Sequence, residues 1–173
     1  MKQRKANRLR DYNYSQPGSY FVTICTKEQK CLFGRVSGSE RQLNALGQIV
    51  INTWLEVIES SSNATSDYSI VMPNHFHAIL NIENNELEKN LLISDKESEQ
   101  RRKTMLLSKV VGRFKMQSAK RVNQARNLSG EALWMRSYWD RVIRNEEELM
   151  KIREYIQNNP LKWELDKLNP RNK

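Results

Sequence analysis

The chain predicts an α+β fold, a central antiparallel sheet with helices packed on it. Three observations lead there. Short β-branched and aromatic runs alternate with longer segments of helical hydrophobic spacing, in the order β-β-α-β-β-α-β-α. Two of the strand-like runs are joined by nothing longer than the tight connection Pro73-Asn74. A length of 173 residues suits one hydrophobic core, so residues 1–173 read as a single domain.

The elements follow in order. After a basic N-terminal arm (about residues 1–12), Tyr20 to Thr26 is aromatic and β-branched, starts behind Pro17-Gly18 and reads as a buried strand. Cys31 to Val36 reads as its partner, closed by Ser37-Gly38-Ser39. Asn44 caps a helix running to about Glu59, whose Leu46, Ile49, Val50, Trp54, Val57 and Ile58 recur at helical spacing. A polar turn, Ser60 to Ser66, leads to a strand at Tyr68–Met72, and a second strand follows at His75–Ile82. Residues 84–103 are charged and poor in aromatics, which reads as a flexible excursion. Thr104 to Val122 is a helix with Leu107, Val111 and Phe114 on its apolar stripe. Trp134 to Ile143 is the last strand. The final helix spans Glu146 to Asn158, capped by Asn145, suited to its dipole by three glutamates and ended by Pro160.

Charge narrows the partner. The formal net charge is +9. Arg101, Arg102, Lys103, Lys109, Arg113, Lys115, Lys120, Arg121 and Arg126 lie in one stretch without an acid, and Lys2, Arg4, Lys5, Arg8 and Arg10 crowd the first ten residues. Such concentration favours a polyanion, and nucleic acid is the commonest one. Lys109, Arg113 and Lys120 share a helical face at i, i+4 and i+11. No apolar run approaches the length of a membrane span, and the basic start leads into Asp11-Tyr12-Asn13-Tyr14 instead of an apolar signal segment. The expectation is a cytoplasmic protein without a membrane partner. Cys25 and Cys31 lack the spacing of a metal cluster and read as ordinary reduced thiols.

The chemistry-bearing residues are few. The chain has 2 histidines, His75 and His77, placed two apart on a strand. Alternate strand residues leave the same face about 6.5 Å apart, so two imidazoles there can converge on one ion, while Phe76 points the other way. A pair of satisfied histidines at a sheet surface is the alternative reading. Tyr155 lies on the last helix with Asn159 at i+4. Pro160 pushes Asn159 out of helix geometry and frees its amide to reach an ion. A tyrosine at the edge of the core is the competing reading of Tyr155.

Beyond these residues the chain resembles the HUH single-tyrosine transposases, and within them the REP-associated tyrosine transposases. The matching stretches are Leu9-Arg-Asp-Tyr-Asn-Tyr14, Gly18-Ser-Tyr-Phe-Val-Thr-Ile-Cys-Thr26 and Val71-Met-Pro-Asn-His-Phe-His77. Val110-Val-Gly-Arg-Phe-Lys115, Leu133-Trp-Met-Arg-Ser-Tyr138, Asp140-Arg-Val-Ile-Arg-Asn145 and Arg153-Glu-Tyr-Ile-Gln-Asn-Asn-Pro160 complete them. The resemblance implies a ferredoxin-like HUH nuclease fold. It also implies that His75, His77 and Asn159 ligate a divalent metal, Mg²⁺ or Mn²⁺, and that Tyr155 is the nucleophile. Many relatives have His where this chain has Arg141, so no role is carried over to that position.

The implied reaction is cleavage and rejoining of single-stranded or hairpin DNA of the palindromic-repeat type through a 5′-phosphotyrosine. A tyrosine hydroxyl, with an ordinary pKa near 10, needs help to attack at neutral pH. Candidate DNA contacts are Arg4, Lys5, Arg8 and Arg10 in the arm, and Lys109, Arg113, Lys115, Lys120 and Arg121 on the basic helix. Two rival readings stand beside this one: a relaxase or replication initiator sharing the cleavage step, and a non-catalytic nucleic-acid binder on a ferredoxin-like sheet. Monomer and homodimer both remain open.

Overall fold

The computed structural model describes residues 17–83 and 106–172. The basic arm and the excursion predicted at 84–103 lie outside the described residues. Strands β1 (Gly18–Cys25), β4 (Ala64–Met72), β5 (His75–Ile82) and β6 (Trp139–Ile143) form one sheet in the order β4-β5-β1-β6. Every neighbouring pair is antiparallel. The helices are α1 (Ala45–Glu59), α2 (Leu106–Ala125) and α3 (Glu146–Gln157). Antiparallel strands with helices packed against them make the predicted α+β architecture.

Both sheet faces are covered, and this positions the site. One face carries Tyr20, Val22, Ile24, Phe76, Ala78 and Leu80 against α1 and α2. There Phe76 packs on Trp54 and Phe114, with ring centroids 5.0 Å and 4.8 Å away. Burying one such ring stabilises the fold by about 1.5–3 kcal/mol. The other face carries Phe21, Ile70, Met72, Ile79 and Ile143, covered by Leu149, Ile152 and Ile156 of α3 and by Trp163. Side chains alternate along a strand, so His75 and His77 share the face of Ile79, the one beneath α3.

Local chemistry sets the helix ends. Asn44 Oδ1 accepts from the Gly47 amide at 3.0 Å, and Asn145 Oδ1 accepts from the Glu148 amide at 2.8 Å. The Glu148 side chain reaches back to accept from the Arg144 amide, just before the cap. Asn158 ends α3, as Pro160 requires.

Three expectations are corrected. The strand predicted at Cys31–Val36 does not pair with β1. Its second half becomes β2 (Gly34–Ser37), which forms a separate hairpin with β3 (Glu40–Leu43). Gly38, with φ +61, supplies the left-handed residue of the two-residue turn. The polar stretch before Tyr68 is strand from Ala64 onward. It pairs with β5 across a bulge between Ser66 and Ser69, an arrangement an edge strand tolerates. The last strand begins at Trp139, not Trp134. Trp134 makes an isolated bridge to Thr26, and its indole packs on Phe33 and Phe114. The Lys115 ammonium then donates to the carbonyls of Met135 and Arg136 at 2.8 Å and 2.9 Å. Those bonds hold the segment before Trp139 outside the sheet.

Candidate active site

The two-residue turn Pro73-Asn74 joins edge strand β4 to β5 and sets the register Met72↔His75. Both histidines therefore open β5, opposite Cys25 and Thr23 of β1. Their ring centroids lie 4.6 Å apart. His75 Nδ1 is 2.8 Å from Asn74 Oδ1, and His77 Nδ1 is 2.8 Å from Thr23 Oγ1. Each ring is thus held through Nδ1, and the two Nε2 atoms are buried without a hydrogen-bond partner. Asn159 Oδ1 is buried and unpartnered in the same way.

Rings enclose the pair. Phe21 stacks on His77 at 5.2 Å, and Trp163 tilts over His75 at 5.9 Å. Tyr155 meets His77 edge-on at 5.5 Å and Phe21 at 5.9 Å. Tyr155 itself is 39% exposed, so its ring closes the site on one side and reaches solvent on the other. Asn159, buried in the turn after α3, lies close enough to His75 and Tyr155 to act on the ionisation of both. α3 and the turn after it thus deliver tyrosine and amide to the histidine pair, and the helix is anchored over this face by Ile152 and Ile156.

Burial governs the protonation states. Desolvation pushes His75 down to about 3, against a smaller opposing effect of the Asn159 amide. Desolvation likewise holds His77 far below the usual imidazole range, helped by neighbouring His75 and opposed by the Val22 backbone. Both rings are therefore neutral at physiological pH, with lone pairs to offer. The Tyr155 hydroxyl is pushed up, first by burial and then by the Asp166 carboxylate, while Asn159 opposes the shift. Left to these surroundings, Tyr155 stays a phenol. The histidines are not at the protein surface, because α3 and Trp163 cover them.

The model of the family described as "Transposase IS200 like" matches residues 99–159, the stretch that carries Tyr155 and Asn159. A protein of Haemophilus influenzae, itself uncharacterized, is 37% identical over 169 residues, covering 95% of this chain and 92% of that one. Over residues 99–159 the chain is similar to the IS200-like transposases. A solved structure, a REP-associated tyrosine transposase bound to a REP hairpin, superposes with a TM-score of 0.53 at 19% identity. The match covers 94% of this chain and 77% of that one, and it shows a shared fold.

Among the described residues, no three His, Cys, Asp or Glu side chains gather as for a metal. The donors in place are two imidazole nitrogens and one amide oxygen, all three buried and unpartnered. Neutral N and O donors of that kind fit a divalent cation, because each such atom left unpaired costs about 1–3 kcal/mol.

The predicted DNA contacts scatter. Arg4, Lys5, Arg8 and Arg10 lie outside the described residues. Lys109, Arg113 and Lys120 are exposed on α2, which packs on the face opposite the histidines. Lys115 is occupied by the two carbonyls already named, and Arg121 pairs with Glu56 and Thr53 of α1. Arg141, on β6, pairs with Glu148. Sequence reasoning missed Thr23, Asn74, Phe21 and Trp163. Of these, Asn74 was signalled by its place directly before His75, and Thr23 and Phe21 by the strand register. Nothing local marks Trp163. No described helix is long and apolar enough to cross a membrane.

Proposed function

We propose that this protein is a single-domain, cytoplasmic, HUH-type transposase that cleaves and rejoins single-stranded or hairpin DNA through a 5′-phosphotyrosine on Tyr155. His75, His77 and Asn159 would hold a divalent cation, Mg²⁺ or Mn²⁺, beside it. One observation carries the reading: three buried donor atoms without partners lie on His77 and Asn159, which adjoin Tyr155, and on His75, whose ring meets that of His77. A buried polar group without a partner calls for an explanation, and a ligand to these three supplies one.

The chain's own residues divide the work. The neutral imidazoles of His75 and His77 present lone pairs without having to shed protons first. When bound, the cation supplies positive charge that draws in a non-bridging phosphate oxygen and makes phosphorus more electrophilic. Phe21 and His77 hold the Tyr155 ring through edge-on contacts, and its partial exposure gives the hydroxyl proton a route to water. The tyrosine oxygen attacks phosphorus as the bond to the 3′ oxygen breaks. The departing oxygen takes a proton and leaves as a free 3′-hydroxyl. Another 3′-hydroxyl reverses the step, releasing tyrosine and joining strands with no nucleotide cofactor.

The substrate class, palindromic-repeat hairpins, is supported by the hairpin bound to the solved relative and by the basic α2 and arm. The test is a covalent adduct assay on a labelled hairpin. The parent chain forms a protein–DNA adduct, and Tyr155→Phe folds, binds the hairpin and forms none. Adduct formation by the Phe variant would contradict the reading.

A further inference from the structure

We propose that Asn74 is a positioning residue that holds His75 in the tautomer with its proton on Nδ1, leaving the Nε2 lone pair available to a divalent cation. The proposal rests on the metal reading above and deepens it.

The argument is a count of hydrogens. Asn74 is fully buried in the β4–β5 turn. Its amide nitrogen carries two hydrogens and spends both, donating to the carbonyls of Gln29 at 3.1 Å and Leu168 at 2.7 Å. Turning the amide over would set its oxygen against those two carbonyl oxygens, so the orientation is fixed by its partners. The atom facing His75 Nδ1 at 2.8 Å is therefore Oδ1. An amide oxygen only accepts. His75 Nδ1 must then be the donor, and a neutral ring has one N–H to give. Nε2 is left bare, buried and without a protein partner.

The turn cannot easily drift from this arrangement. The Asn74 carbonyl accepts from the Thr26 amide at 2.9 Å and from its hydroxyl at 3.0 Å. One asparagine thus ties the histidine to the segment after β1 and to the C-terminal segment that carries Leu168. Thr23 serves His77 differently. A hydroxyl can donate or accept, so it orients that ring without choosing its tautomer.

The test uses the full chain with nitrogen-15 in its 2 histidine rings. His77→Gln assigns the signals, and Thr23→Val serves as a control that leaves His75 unchanged. In the metal-free parent, His75 shows the Nδ1–H tautomer. Calorimetry with Mn²⁺ shows affinity falling about 10- to 100-fold in Asn74→Ala, with the His75 signals moving toward the other tautomer. An Nε2–H tautomer in the parent overturns the proposal, even if the Ala variant fails to fold. So does a folded Asn74→Ala chain that keeps its Mn²⁺ affinity within about twofold and an unchanged His75 spectrum. A parent chain that binds no Mn²⁺ yet shows the Nδ1–H tautomer overturns the metal half alone, and with it the metal reading on which it rests.

Discussion

His75 and His77 are held by Nδ1, have no hydrogen-bond partner at Nε2, and both lie under α3. Replacing either with Ala therefore has two effects that need separate readouts. It opens a small cavity, costing about 0.5–3 kcal/mol of stability, and it removes a donor. We expect each Ala variant to melt cooperatively at a somewhat lower temperature and to form no adduct in Mg²⁺ or Mn²⁺. Full adduct yield from the folded double variant would remove the metal from the mechanism. The pairing of these histidines was legible in the sequence, because nothing else in the chain competes for the role. Their burial was less so. The hint was Ile79, which continues the His75 and His77 face and needs an apolar cover of its own. What supplies that cover, Trp163 included, comes from a segment some ninety residues on, and no local pattern reveals it.

At the scale of elements, α3 was readable nearly to the residue, since Asn145, three glutamates and Pro160 each mark an end by their own chemistry. The β2–β3 hairpin was not. The run Glu40-Arg41-Gln42 is too polar to read as a strand, and Gly38 looked like the close of a strand when it is the turn between two. Helix α2 raises a different question, because it lies behind the sheet, away from Tyr155. If Lys109, Arg113 and Lys120 touch phosphates, they contact DNA that passes around the domain. Neutralising all three should then weaken binding to any sequence about equally, and flatten the log–log salt slope by roughly 0.7 per lost contact on a single strand. Adduct formation at saturating DNA should be unchanged, since none of the three reaches the site. An unaltered slope would assign the contacts elsewhere.

Across the whole molecule, the sheet is a partition with two unequal faces. One face, beneath α1 and α2, is a plain apolar core, and the other places an unsatisfied polar cluster inside its apolar cover. That cluster weakens the fold in acid. His75 titrates near 3 when folded and near 6.5 when free, and His77 is shifted the same way. As pH falls below about 6.5 the unfolded chain gains protons that the folded chain refuses, so stability is full above that pH and declines toward 3. Urea midpoints in chelator should drop between pH 7.5 and 5, and the drop should shrink in a chain with both histidines changed to Gln. An equal pH dependence in that variant would mean other groups drive it. The fold class was legible because periodicity and turn residues agree at almost every junction. The covering of both faces was not, because it depends on which helix returns to which side.

The central claim is that Tyr155, brought to the histidine pair by α3, is the residue that takes the DNA strand. Its directest test is peptide mass spectrometry of the parent chain trapped on a labelled hairpin. Trypsin cuts after Arg153 and Lys162, so Tyr155 is the sole tyrosine of the peptide spanning residues 154–162. The account predicts a nucleotide on that peptide alone. A nucleotide on a peptide carrying Tyr12, Tyr14, Tyr20, Tyr68 or Tyr138, or an adduct that persists in Tyr155→Phe, would contradict it.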